Sequence, residues 1–221
     1  TVNPNPVVNA GSATGAICQG GTTAALGGSF SGGATAAVWD DGGAGGTFAN
    51  NTGTTPGTTT YTAAANSSAS VTLTLTTSGG SCGTTSASKG LTVNPNPTVS
   101  AGPAVAAICQ GGTSAALGGS FGGGATLATW DDGGAGGSFA NNGGSTPGTA
   151  TYTASTTAPA SVTLTLTTFG GSCGVVSDSK TITINPLPLV NAGPAVAAIC
   201  QGGTSAALGG SFSGGATSAI W

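Results

Sequence analysis

The 221 residues carry two cations and five anions, a net charge of −3, with no histidine and no methionine, and glycine alone fills 43 positions. Two lysines cannot neutralise a run of phosphates, which excludes a nucleic-acid partner, and no basic cluster is present to dock the chain on anionic lipid. A hydrophobic fraction of 38% with so little charge separates the chain from disordered sequences, which are poor in apolar residues and rich in charge. Solubility must come from hydroxyls, amides and exposed backbone. No apolar run approaches the roughly 18 residues that cross a bilayer as a helix.

The sequence copies itself every 91 positions. Ile17-Cys18-Gln19-Gly20-Gly21-Thr22 returns at 108–113 and again at 199–204, and Trp39, Trp130 and Trp221 keep the same spacing. A repeat of this length is one whole domain, so the chain reads as a tandem array. The expected division is 1–4 as the end of a preceding repeat, 5–95 and 96–186 as two full repeats, and 187–221 as the N-terminal part of a further, truncated one. Half a sandwich cannot bury a core, so the array is expected to continue past both ends.

In chain order, the first element is the linker Asn3-Pro4-Asn5-Pro6, which returns as Asn94-Pro95-Asn96-Pro97 and Asn185-Pro186-Leu187-Pro188. Two prolines in four residues fix φ and restrict the residues before them, giving a short, stiff connection rather than a floppy one. The second repeat is the clearest to read. Strands are expected at 98–102, at 113–121 with a bend at Gly118-Gly119, and at 125–130. Asp131-Asp132-Gly133-Gly134 is a turn. Further strands follow at 138–140, 150–154, 161–167 and 180–184. In Ser161-Val162-Thr163-Leu164-Thr165-Leu166-Thr167 the apolar side chains face one way and the threonines the other. No window holds a helical period. About seven short strands in about 90 residues predict all-β, tandem Ig-like β-sandwich domains arranged end to end as a rod. Each domain should advance the rod by roughly 35–45 Å, from strand rise plus loops. Trp39, Trp130, Tyr61, Tyr152, Leu73 and Leu164 are the expected core, with Phe121 and Leu166.

Cys18 and Cys82 are 64 residues apart, and so are Cys109 and Cys173. Zinc would need closer ligand pairs and more Cys or His. The expectation is one disulfide inside each full repeat, Cys18–Cys82 and Cys109–Cys173, formed in an oxidising compartment. Each would contribute about 4 kcal/mol in the chain-entropy view. Cys200 aligns with the first cysteine of each pair, and its partner would lie beyond the chain end.

The order Asn-Pro-x-Pro, Ala-Gly, Ile-Cys-x-Gly-x-Thr, Leu-x-Gly-Ser, Trp, Gly-Gly-x-Gly-x-Phe, Tyr-Thr, Val-Thr-Leu-Thr-Leu-Thr and Cys-Gly resembles the PKD-like and Ig-like tandem repeats of giant secreted surface proteins of Bacteroidetes, of the gliding-motility-associated adhesin type. In the second repeat it runs through Asn94, Gly102, Cys109, Trp130, Phe139, Tyr152, Leu164, Cys173 and Ile184. The resemblance covers essentially the whole chain. It implies an extracellular or cell-surface filament with adhesive ends, often exported by the type IX secretion system.

Adjacent carboxylates at Asp40-Asp41 and Asp131-Asp132 suit a hard cation, which makes them candidate Ca²⁺ ligands and Ca²⁺ the one cofactor to consider. The competing reading is a solvated turn in which Asp favours the geometry. Lys89 and Lys180 recur once per repeat, but the acidic proton shuttle of a Lys–Asn isopeptide bond is missing, so they are read as exposed lysines. Asn50-Asn51-Thr52 and Asn66-Ser67-Ser68 match the N-glycosylation pattern, at chance level in so polar a sequence. Without histidine no Ser–His or Cys–His pair can form, and the Gly-Gly runs lack the lysine of a phosphate loop. The expected function is therefore a non-catalytic stalk or spacer of a large surface or secreted adhesin. A carbohydrate- or surface-binding module and a self-assembling extracellular fibre subunit are the alternatives. The expected partners are neighbouring repeats, other copies in a filament, or a host or substratum surface.

Overall fold

The computed structural model describes residues 2–221. The first repeat forms β1 (Val7–Asn9), β2 (Ile17–Cys18), β3 (Ser29–Ser31), β4 (Ala36–Asp40), β5 (Thr47–Ala49), β6 (Thr60–Thr62), β7 (Ser70–Ser78) and β8 (Ser86–Asn94). The second repeats them as β9 (Thr98–Ser100), β10 (Ile108–Cys109), β11 (Ser120–Gly122), β12 (Leu127–Asp131), β13 (Ser138–Ala140), β14 (Thr151–Thr153), β15 (Ser161–Phe169) and β16 (Ser177–Asn185). β17 (Pro188–Asn191) and β18 (Ser211–Gly214) follow. No helix is long and apolar enough to cross a membrane among the described residues.

One layer of each sandwich is a four-stranded sheet, in the order β2-β8-β7-β4 and again β10-β16-β15-β12. The facing layer is built from the pairs β1-β3 and β5-β6, repeated as β11-β9 and β13-β14. Alternation sets the layers. Along β7, Val71, Leu73 and Leu75 are buried while Ser70 and Thr72 face water. Each such side chain contributes about 1.5–3 kcal/mol on leaving water. Trp39 and Ala37 of β4, Tyr61 of β6 and Leu91 and Val93 of β8 complete the first core, with Val8, Phe30 and Phe48 packed against it. The second core has the same composition by position, with Ile182 and Ile184 in place of Leu91 and Val93. The chain is thus all-β, with tandem Ig-like sandwiches.

Three sequence expectations are corrected. The strand expected at 113–121 is regular only over Ser120–Gly122. Residues 114–118 do run beside β14, through Ser114 N to Tyr152 O and Leu117 N to Ala150 O, both 2.8 Å, but without a continuous ladder. They break because the glycines turn the chain: Gly118 has φ of +70°, and a Cβ on Gly119 would sit 2.6 Å from the Trp130 ring. β10, too short to show in the alternation, pairs in parallel with the end of β16, Ile108 opposite Ile184.

The third correction concerns the lysines, which point inward. Lys180 is only 9% exposed. It occupies the same face of β16 as Ile182 and Ile184. Its ammonium donates to the carbonyls of Pro103, at 2.9 Å, and Leu117, and lies 5.2 Å from the Trp130 ring. Lys89 does the same with Ser12 O, Leu26 O and Trp39. Burial lowers the pKa of both lysines, and the Asp178 carboxylate partly opposes this at Lys180. An aliphatic stem among apolar neighbours with its head on carbonyls is a stable use of lysine.

Contacts group the chain into two compact units. One comprises residues up to Thr98 with Gly123–Ala125 and Gly170–Val175; the other comprises Val99–Gly122, Thr126–Phe169 and Val176–Trp221.

Candidate functional site

The distinctive chemistry of the chain lies in the first unit, around one disulfide. It joins Cys18 to Cys173, with Cα atoms 5.7 Å apart, across 155 positions of sequence. The expected pairs Cys18–Cys82 and Cys109–Cys173 are therefore not formed, and Cys82, Cys109 and Cys200 are free and exposed. The strand register explains the correction. Cys18 sits on β2, opposite Asn94 at the end of β8. Cys82 sits in the turn that precedes Ser86 at the start of β8. Nine strand residues span roughly 26–30 Å, whereas a disulfide needs Cα atoms within about 7 Å. The two cysteines of one repeat thus lie at opposite ends of the same strand.

What brings Cys173 to Cys18 is the linker between them. Gln19 N donates to Asn94 O at 3.0 Å. The Gln19 side chain donates to Ser67 O at 2.8 Å and accepts from Asn96 N at 3.2 Å, while Asn96 Nδ2 donates to Gln19 O at 3.1 Å. Asn96 O in turn accepts from Gly124 N at 3.3 Å. The approach is so close that a Cβ on Gly123, which has φ of +63°, would meet Asn96 O at 1.9 Å. Cys173 Sγ lies 3.6 Å from Asn94 O. The linker is a bonded seam, and the Gly-Gly pair that recurs after each Asn-Pro-x-Pro is what lets it close.

The same geometry recurs at the other cysteines. The Cys82 thiol donates to Asn3 O at 3.5 Å, as Cys173 approaches Asn94 O. Gln110 N donates to Asn185 O at 2.9 Å, and Gln110 Oε1 accepts from Leu187 N at 3.3 Å. A Cβ on Gly32 would meet Asn5 O at 2.1 Å and one on Gly214 would meet Leu187 O at 2.1 Å.

The calcium candidates are occupied by backbone. Asp40 Oδ1 accepts from Gly42 N at 2.7 Å, and Asp131 Oδ1 accepts from Gly133 N at the same distance. Asp41 accepts from Gly43 N, Gly46 N and the Tyr61 hydroxyl, and Asp132 from Gly134 N, Gly137 N and the Tyr152 hydroxyl. Burial raises the Asp41 pKa, but the hydrogen bonds from Gly46, Tyr61, Gly43 and Ala44 outweigh it and hold the carboxyl below its usual value. Burial first, then the neighbouring carboxylate, pushes Tyr61 and Tyr152 up to about 12. No three acidic, His or Cys side chains converge among the described residues. These loops are turn-forming tethers for the buried tyrosines.

Trp39, Trp130, Tyr61, Tyr152, Leu73 and Leu164 are all buried. Trp39 Nε1 and Trp130 Nε1 donate to Pro56 O and Pro147 O, each at 3.0 Å. Sequence reasoning missed Asn51 and Asn142. Asn51 accepts from Trp39 N and donates to Trp39 O, both at 2.9 Å, so its amide substitutes for a missing strand neighbour; Asn142 does so at 2.8 Å for Trp130. Their conserved offset from each tryptophan across the two repeats was the available signal.

No protein-family model matches the chain, and no curated protein sequence does. Solved structures of similar course include the insect immune protein hemolin, at 13% identity over 82% of this chain and 47% of that one, TM-score 0.49. Extracellular domains 3–5 of Drosophila OTK match at 14% identity over 78% and 60%, TM-score 0.43. Mouse cadherin-23 EC22–24 matches at 9% identity over 85% and 68%, TM-score 0.47. The chain thus spans only about half of hemolin and three-fifths of that OTK segment.

Proposed function

We propose that the chain is a non-catalytic stalk segment of a large extracellular or cell-surface adhesive protein, with each 91-residue repeat, 5–95 and 96–186, acting as one domain. The observation that carries this reading is the Cys18–Cys173 bridge, which ties successive repeats covalently. Under tension the covalent path runs from Cys18 through the sulfurs to Cys173, so the 155-position loop between them bears no load. A stalk built this way transmits force with little extension. Burial of both repeat tryptophans leaves no aromatic platform for sugar in the two full repeats. The resemblance to giant Bacteroidetes repeats supports placing the stalk among gliding-associated adhesins exported by a type IX route.

Single-molecule stretching tests the reading. The oxidised chain should resist extension between the two cysteines, and reduction should release on the order of 500 Å of extra contour. Equal extension before and after reduction, or in-repeat pairs in a non-reducing peptide map, would overturn it.

A further inference from the structure

Residues 101–121 and 192–212 have the same sequence but opposite surroundings. In the second repeat this stretch packs under β15 and β16, and Leu117 is 0% and Trp130 3% exposed. In 187–221, by contrast, Leu208 is 36%, Phe212 46%, Ile199 56% and Trp221 76% exposed. β17 and β18 pair with each other alone. The four-stranded sheet that covers the equivalent face elsewhere has no counterpart here among the described residues.

A second observation converges on the same element. Cys109 is the counterpart of Cys18, has the same strand partner geometry, and is free. The sulfur that meets Cys18 comes from the turn between β15 and β16. What Cys109 lacks and what the 187–221 face lacks are therefore one and the same piece of structure, a hairpin with cysteine in its turn.

We propose that the exposed face of 187–221, together with the Cys109 thiol, is the acceptor for a β-hairpin of the kind formed by 161–185, whose cysteine-bearing turn bonds to Cys109 as Cys173 bonds to Cys18. The pairing rule joins the first cysteine of one repeat to the second cysteine of the following one. Cys82, poised beside Asn3 O, is the donor half of the same device. Each bridge then staples one junction, and adjoining bridges interleave. This goes beyond the stalk reading and can fail while that reading stands, since the Cys18–Cys173 bridge is read from the chain alone.

The test mixes the full 221-residue chain with a synthetic peptide of residues 131–185 whose Cys173 is held as a mixed disulfide with an aryl thiol. The Cys109 thiolate attacks the peptide's Cys173 sulfur, one S–S bond forms, the mixed S–S bond breaks, and the aryl thiolate leaves with the electron pair. The peptide contains no tryptophan, and Trp39 and Trp130 are already buried, so fluorescence reports Trp221. The expected result is a blue shift with adducts at Cys109 exceeding those at Cys82 or Cys200 by on the order of tenfold, because docking raises the effective concentration. A Cys109→Ser chain should keep the shift and lose the adduct. A Leu164→Asp peptide should lose the shift and the selectivity together. Adducts spread evenly over the three exposed thiols, or an unshifted Trp221, would overturn the proposal.

Discussion

Residues 99–130 and 190–221 differ at few positions, yet one stretch is the inner half of a sandwich and the other lies open. Leu117 and Trp130 are buried, and Leu208 and Trp221 are exposed. What persists in both is local: β9 pairs with β11 and β17 with β18. What persists only in the second repeat is β10 and β12, which need β16 and β15 beside them. The short pair is therefore encoded by the stretch itself. The outer strands are conferred by residues 131–185.

The largest effect that could break this comparison is a pair of truncations. Trp130→Ala should cost about 3–5 kcal/mol in denaturant unfolding followed by circular dichroism, whereas Trp221→Ala should change stability by less than about 0.5 kcal/mol. Equal losses would mean that the open stretch is packed in solution. Next comes Lys180→Ala, which removes the donor to Pro103 O and Leu117 O and opens a void beneath Trp130. A loss of about 2 kcal/mol is expected in the same assay, with Lys180→Met recovering part of it through packing. Asn142→Ala removes both backbone mimics at Trp130 and should cost about 1–2 kcal/mol.

The smallest effect is spectroscopic. Tyr61 and Tyr152 are the only tyrosines. In the folded chain they should ionise at about 12, against the model value of 10.0 for a free phenol. A folded pKa raised above the unfolded one contributes stability fully below pH 10.0 that is lost as the pH climbs toward about 12. Ultraviolet titration of folded and denatured protein should separate the two curves. Coincident curves would show that the Asp41 and Asp132 loops do not seal the phenols.

Much of the fold was legible because it is written in short-range pattern. The alternation of Val162, Leu164 and Leu166 gives β15 its buried face, and Asp131-Asp132-Gly133-Gly134 gives the turn. Lys180 defeated the pattern because its charge suggested water, while its neighbours Ile182 and Ile184 set the face it occupies. The glycines of 118–119 and 123–124 were visible as turns, but their closeness to Trp130 and to Asn96 was not, since it arises between segments distant in sequence.

By itself the sequence determined the 91-residue period, the all-β class, the aromatic core and the stiff Pro-rich seams, because each follows from residue type at short spacing. Only the tertiary structure decided which sulfurs meet. A spacing of 64 and one of 155 are both compatible with the repeat. The choice between them rests on which end of β8 each cysteine occupies, and on a linker that bonds Gln19 to Asn96 and so holds the next repeat's turn against Cys18.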